Sequence, residues 1–356
     1  MTNPGRFDGW PSVIGRLMAG EDLDPATAAA AVGEMLEGKA TPAQVAGFLV
    51  ALRAKGESRV ELEAMLEVVR RAGVTVRLPD GLAARTIDIV GTGGDKSNSV
   101  NVSTMAALVV AACGVPVCKH GNRASSSACG SADVLEHAGV AIDLAGSGVA
   151  ACIERAGFGF CLAPRFHPAF RHVGPTRREL GVATVFNLLG PMANPAPVAH
   201  MLVGVADPSM MENMAHALHS RGVRRAWVVN GHMGLDELAV SGPNRVCGLD
   251  DGKVTMFEVD ALDHGVARSS LADIVGGDAA VNSQVMEELF AGAAGAVRDI
   301  VTFNAGCALL VAGAVESVEE GLAAARGAID SGAARATLAT VVDVSRRQRE
   351  QQGSDA

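Results

Sequence analysis

The chain has no tyrosine, and aromatic residues make up only 3% of its 356 positions. With 49% hydrophobic residues, its cores must be built mainly from Ala, Val, Leu and other small aliphatics. Long apolar runs are scarce too. No uncharged apolar stretch of about 18 residues suggests a membrane-spanning helix. The N-terminal MTNPGRFDGWPS lacks a basic segment followed by an apolar one, so no signal peptide is expected and a soluble, cytoplasmic protein is. There is no surplus of cations: the formal charge is −9, which argues against a nucleic-acid surface as the main function. An acidic protein can still hold a polyanionic small molecule where a few cations, backbone N–H groups or a divalent metal are focused. The cysteines Cys113, Cys118, Cys129, Cys152, Cys161, Cys247 and Cys307 form no C-x-x-C pair. They read as small buried hydrophobes in a reducing compartment.

The length allows one large or two ordinary domains. Residues 22–73 read as three short helices. Asp24-Pro25 supplies an N-cap and a first-turn proline, Gly38 a stop, and Thr41…Gln44 and Ser58…Glu61 two capping boxes. From about residue 85, the runs TIDIV, VPVCKH, MLVGVA, AWVVNG and RVCGL alternate with alanine-rich helical segments such as 103–113, 131–138 and 209–221. That alternation predicts an α/β unit with a mostly parallel sheet. Residues 281–331 read as helical, and the tail SRRQREQQGSDA as polar and frayed, its Arg346, Arg347 and Arg349 forming a solvated basic cluster.

Four segments carry chemistry. The first, TIDIVGTGGDKSNSVNVST (86–104), looks like a phosphate loop, yet Val90 and Asp95 stand where a P-loop needs glycine. Lys96 stands where a dinucleotide turn needs its third glycine. Its glycines still let backbone N–H groups approach a ligand, and Asn101, Ser103 and Thr104 fall at a helix start, suited to an anion. As ordinary N-caps they would look the same. The second, KHGNRASSSACGSAD (119–133), places Lys119 and Arg123 directly after a strand, where open α/β sheets bind ligands; a plain surface loop is the bland alternative. The third, GLDEL, holds adjacent Asp236 and Glu237, suited to Mg²⁺ or to an ordinary solvated surface. The fourth, PRFHPAFRHVGPTRRELG, carries Arg165, His167, Arg171, His172, Arg177 and Arg178, of which one or two could clamp a carboxylate. His216 and His219 lack the carboxylate company and spacing expected of a zinc site.

In order and spacing, DIVGTGGD…N-x-S-T, KHGNR…S…GSAD, RRELG…T-x-FNLLGP…NP and GLDE resemble the anthranilate phosphoribosyltransferase family over essentially the whole chain. The resemblance implies a helical domain (1–78, completed by about 168–190). A larger α/β domain that binds phosphoribosyl pyrophosphate (79–167 and 191–345) and a polar tail (346–356) would follow. It implies transfer of the phosphoribosyl group to anthranilate in tryptophan biosynthesis, usually by a homodimer, with Mg²⁺, two ions per subunit, held by Ser103, Asp236 and Glu237. The donor would lie against Gly91, Gly94, Asp95, Ser99, Asn101, Val102, Ser103 and Thr104. A second loop would add Lys119, His120, Gly121, Asn122, Arg123, Ala124, Ser125, Ser126 and Ser127, with Ser131. Gly91, Asn122 and Arg177 match acceptor positions. No obligate acid or base is implied, only an electrostatic Lys119. Two residues depart from the family pattern: Lys96, where glycine is common, and Ala128, where lysine or another residue often stands. A pyrimidine nucleoside phosphorylase and a non-catalytic nucleic-acid-binding relative of the same fold are the competing readings. The first would reveal itself by phosphorolysis of a pyrimidine nucleoside, the second by a basic face.

Overall fold

The structure, a computed structural model, describes residues 7–124 and 128–354; Ser125, Ser126 and Ser127 lie outside the described residues. The three expected helices are α2 (Pro25–Leu36), α3 (Pro42–Lys55) and α4 (Arg59–Arg71). Asp24 accepts the Thr27 N–H, and both capping boxes close as anticipated. Before them stands α1 (Trp10–Met18), which the capping signals do not announce; it buries Trp10, Val13 and Leu17, with Trp10 edge-on to Phe48 at 6.0 Å. Arg53 at the end of α3 reaches Asp207 at 2.6 Å, and Asn213 donates to the Glu57 carbonyl, so the helical unit is tied to the rest of the chain.

The five expected β-runs are five strands of a seven-stranded sheet: β1 (Ile87–Gly91), β2 (Val117–Gly121), β4 (His200–Gly204), β5 (Arg225–Asn230) and β6 (Asn244–Asp250). The others are β3 (Phe158–Leu162), whose FGFCL is interrupted by glycine, and β7 (Lys253–Val259), an edge strand mostly exposed along its length. The order is β3-β2-β1-β4-β5-β6-β7; β3 to β5 run parallel and the last two antiparallel. Alternate residues feed two cores. Ile87, Ile89, Val117 and Leu202 pack under the helices Val102–Ala112 and Ala296–Val311. Val90, Cys118, Met201 and Val203 pack on the opposite side, continuous with the core of the helical unit.

The tail reading is corrected. Residues 333–354 form one helix, Ala333–Ser354, whose end docks rather than frays. Ser345 Oγ accepts from Ala141 N, Arg346 Nε donates to the Gly139 carbonyl, and Gln352 Oε1 accepts from Ala145 N. Polar side chains there serve backbone groups of a neighbouring segment, which composition does not reveal. Among the described residues no disulfide joins the seven cysteines, and all but Cys113 are buried. Among the described residues no helix is long and apolar enough to cross a membrane.

Candidate active site

Between β1 and β2 the sheet opens. Ile87 is the only β1 residue in register with β2, opposite Val117. Beyond it, side chains replace the ladder. Asp88 accepts the His120 N–H at 3.2 Å; Asn194 donates to Asp88 and to the Cys118 carbonyl, both at 2.7 Å; and Lys119 Nζ donates to the Ile89 carbonyl. Asp88 and Lys119 are both buried. Burial drives the Asp88 carboxyl up to about 6 against the pull of Lys119, and drives Lys119 down against the pull of Asp88, Glu237 and Asp236. β1 is also where the chain order switches sides, with β2 on one flank and β4 on the other, and such a point opens a crevice at the carboxyl ends of the strands.

The loop after β1 fills that crevice. Gly93 and Gly94 take positive φ (68° and 86°), and so do Lys96 (61°) and Asn98 (50°). Asp95 Oδ1 accepts the Ser97 N–H and hydroxyl, and Ser97 Oγ accepts the Ser99 N–H. Across the crevice, Asp236 Oδ2 accepts the Gly93 N–H at 2.6 Å, and Glu237 Oε1 accepts the Ser103 N–H at 3.2 Å. The carboxylate pair thus meets the N-terminus of helix Val102–Ala112. Thr104 Oγ1 is buried there and has no partner among the described residues, while Val102 is buried and offers only its main chain. Three glycines make room: a side chain at Gly91 would strike the Asp236 carboxylate, at Gly204 the Asp236 carbonyl, and at Gly231 the Glu237 carbonyl. Gly204 and Gly231 were not singled out in the sequence, where they stand within the β-runs MLVGVA and AWVVNG.

Asp236 and Glu237 repel each other, and Asp95 adds to both. Burial first, and that repulsion, hold the Asp236 carboxyl well above its usual range; burial lifts Glu237 to about 7 against the pull of Lys119 and Ser103. Such a pair gains by sharing a divalent cation, and its oxygen donors are hard. Among the described residues no three His, Cys, Asp or Glu side chains converge on one ion. Oxygen donors of this kind suit Mg²⁺, which keeps waters and takes one or two carboxylates with substrate phosphates.

The second loop is braced from outside. Arg123, expected on the donor, pairs with Glu136 at 2.6 Å and Asp133 at 3.2 Å, while Asp133 also accepts the Ala124 and Gly130 N–H groups. Ser131 Oγ donates to the Asn122 carbonyl, and a side chain at Gly121 would collide with Ser131 and Phe160. From β2 a file of rings leads toward the helical unit: His120 to His167 (5.2 Å), His167 stacked on Phe170 (5.2 Å), Phe170 edge-on to Phe186 (5.3 Å). Arg177 lies over Phe186 at 5.3 Å and donates to Asn187 Oδ1. It is half-buried and has no acidic partner among the described residues, whereas Arg165, Arg171, His172 and Arg178 are exposed. The fourth segment thus divides: Arg177 and His167 turn inward, and Arg165, Arg171, His172 and Arg178 face solvent. His167 lines the approach to Arg177 together with Phe170 and Phe186, two rings the sequence did not single out as site residues.

Two family models cover most of the chain: the helical bundle domain of a glycosyl transferase family over residues 11–73, and its a/b domain over residues 83–335. The anthranilate phosphoribosyltransferase of Salinispora arenicola is 47% identical over 96% of this chain and 98% of its own length. That of Methylobacterium radiotolerans is 46% identical over 95% and 97%. Among solved structures, the enzyme from Thermus thermophilus superposes with a TM-score of 0.87 at 40% identity, covering 94% of this chain and 99% of its own. The Saccharomyces cerevisiae enzyme in complex with PRPP and Mg superposes with a TM-score of 0.86 at 26% identity, covering 95% and 98%. With its fold, glycine loop, carboxylate pair and near-complete coverage by these relatives, the chain belongs to the anthranilate phosphoribosyltransferases of that glycosyl transferase family.

Proposed function

We propose that the crevice transfers the phosphoribosyl group of 5-phosphoribosyl 1-pyrophosphate to the amine of anthranilate, as a step of tryptophan biosynthesis. The observation that carries this is the Asp236–Glu237 pair, fixed by the glycine loop at a helix N-terminus, with a file of rings leading from β2 to an inward-turned arginine. The relatives named above support that reading and offer nothing for a nucleoside phosphorylase or a nucleic-acid binder.

In the reaction, the anthranilate nitrogen forms a bond to C1 of the ribose as the bond from C1 to the pyrophosphate oxygen breaks. Pyrophosphate leaves with the bonding pair, and the nitrogen then gives up a proton. An aromatic amine is uncharged and nucleophilic near neutrality, so positioning and charge neutralisation suffice. Gly91, Gly94, Asp95, Ser99 and residues 101–104 form the donor's bed, with residues 119–124 and Ser131 of the second loop alongside. Ser103, Asp236 and Glu237 would hold two Mg²⁺ ions. When bound, these would neutralise charge on the leaving pyrophosphate. Lys119, buried with its Nζ on the Ile89 carbonyl and drawn by Asp88, Glu237 and Asp236, acts through its field rather than by contact. Arg177 would pair with the acceptor's carboxylate and the neighbouring rings with its aromatic face, Asn122 and Gly91 lying toward the donor.

We also propose a cytoplasmic homodimer in which residues 1–78 and about 168–190 form one helical domain. Met18, Val50 and Val60 of that unit are each exposed and free to meet a second copy. Two variants separate the halves of the site. Asp236→Asn with Glu237→Gln should lower kcat/KM at least about a hundredfold at saturating Mg²⁺. Arg177→Ala should raise the anthranilate KM about tenfold while the donor KM stays within about twofold. Near-normal turnover of the first variant, or equal KM changes in the second, would sink the assignment.

A further inference from the structure

The donor loop is gripped by a segment that lies outside every motif named so far. Val275 forms an antiparallel bridge with Ser99; Val100 N–H donates to the Ile274 carbonyl at 2.9 Å, and Gly276 N–H to the Asn98 carbonyl at 2.8 Å. A helix, Ala279–Phe290, follows, capped by Asp278. In its first turn stands Asn282, only 1% exposed. Asn282 Oδ1 accepts the Gly277 N–H at 2.8 Å, and Nδ2 donates to Asn101 Oδ1 at 2.9 Å. Asn101 Nδ2 in turn donates to the Cys129 carbonyl at 3.2 Å. One relay of amides therefore runs from residues 274–277, through the start of helix Val102–Ala112, to the far end of the second loop. A side chain at Gly276 would strike Asn282 Oδ1 and Val100 N, so the strap fits against this amide.

Both ends of the Asn101 amide are occupied, so its side chain fixes the backbone that leads into residues 102–104. A buried polar group placed this way is costly to leave half-bonded. We propose that Asn282 is a positioning residue for the phosphoribosyl donor, acting through Asn101 to hold the two donor loops in register; this rests on the reading of the crevice given above. An asparagine is required because Asn101 Oδ1 needs a donor. An aspartate would keep the acceptor for Gly277 but set a carboxylate oxygen against an amide oxygen.

The test is steady-state kinetics in Mg²⁺ with both substrates varied, on the wild type, Asn282→Ala, Asn282→Asp, Asn101→Ala and the Asn101→Ala/Asn282→Ala double variant. Asn282→Asp preserves volume and so separates the lost donor from a cavity. Both Asn282 variants should raise the phosphoribosyl pyrophosphate KM about tenfold, with the anthranilate KM within about twofold. The double variant should be no worse than Asn101→Ala alone, and the rise in melting temperature on adding donor and Mg²⁺ should shrink in Asn282→Asp. An unchanged donor KM in Asn282→Asp, equal changes in both KM values, or additive losses in the double variant would overturn the inference. Failure of the parent reading looks different: the wild type itself would not consume anthranilate.

Discussion

His167 sits buried with Nε2–H on the Ala193 carbonyl and Nδ1 unpartnered among the described residues, and burial holds its pKa at about 4 against an ordinary 6.5. Between those values the unfolded chain takes up a proton that the folded chain refuses. Its contribution to stability is therefore complete above pH 6.5 and declines as the pH falls toward 4. The limit is about 1.4 kcal/mol per pH unit. His167→Gln keeps an N–H for Ala193 but does not titrate. Urea unfolding at pH 7.5 and pH 5 should show the advantage of the wild type over the variant shrinking at the lower pH; a constant gap would mean that His167 charges freely in the fold. At this scale the sequence singled out Asp236, Glu237 and Arg177, and the structure sets the carboxylates on the Gly93 and Ser103 N–H groups and the guanidinium over Phe186. It was not legible where burial decides the role: nothing in the string distinguishes His167 from exposed His172. Lys96, the departure from glycine, adopts φ 61°, a region that costs a non-glycine residue roughly 1–2 kcal/mol, which is the physical reason glycine is favoured there.

At the scale of elements, capping residues announced α2, α3 and α4 because the signal is local: a hydroxyl or carboxylate three residues before the N–H it accepts. Long-range devices stayed hidden. Asn194 and Asp88 mend a gap between β1 and β2 from 106 residues apart, and the Gln352 amide serves Ala145 from 207. The glycines around the carboxylate pair belong to the same class. Gly204 ends β4 against the Asp236 carbonyl, so Gly204→Ala forces the Leu235–Leu238 segment outward. The expected result is destabilisation of about 1–3 kcal/mol, seen in the thermal midpoint, together with a weaker response to Mg²⁺. A variant that melts and responds like the wild type would remove the close packing from the account.

Over the whole molecule, a mostly parallel sheet carrying a helical unit was foreseeable from the alternation of β-runs and alanine-rich helices, although two strands and α1 were not. A net charge of −9 is compatible with a polyanionic donor because the cations that matter are few: Lys119 is buried beneath the carboxylates and Arg123 is paired on the surface. Metal ions, rather than a basic cleft, are left to offset the donor's charge. The most direct measurement of this claim follows the loss of anthranilate fluorescence on mixing purified protein with anthranilate and phosphoribosyl pyrophosphate, with Mg²⁺ and with EDTA in its place. Rapid loss matched one-for-one by pyrophosphate release is expected in Mg²⁺, and arrest in EDTA. Undiminished turnover in EDTA, or no loss of fluorescence in Mg²⁺ at any donor concentration, would contradict it.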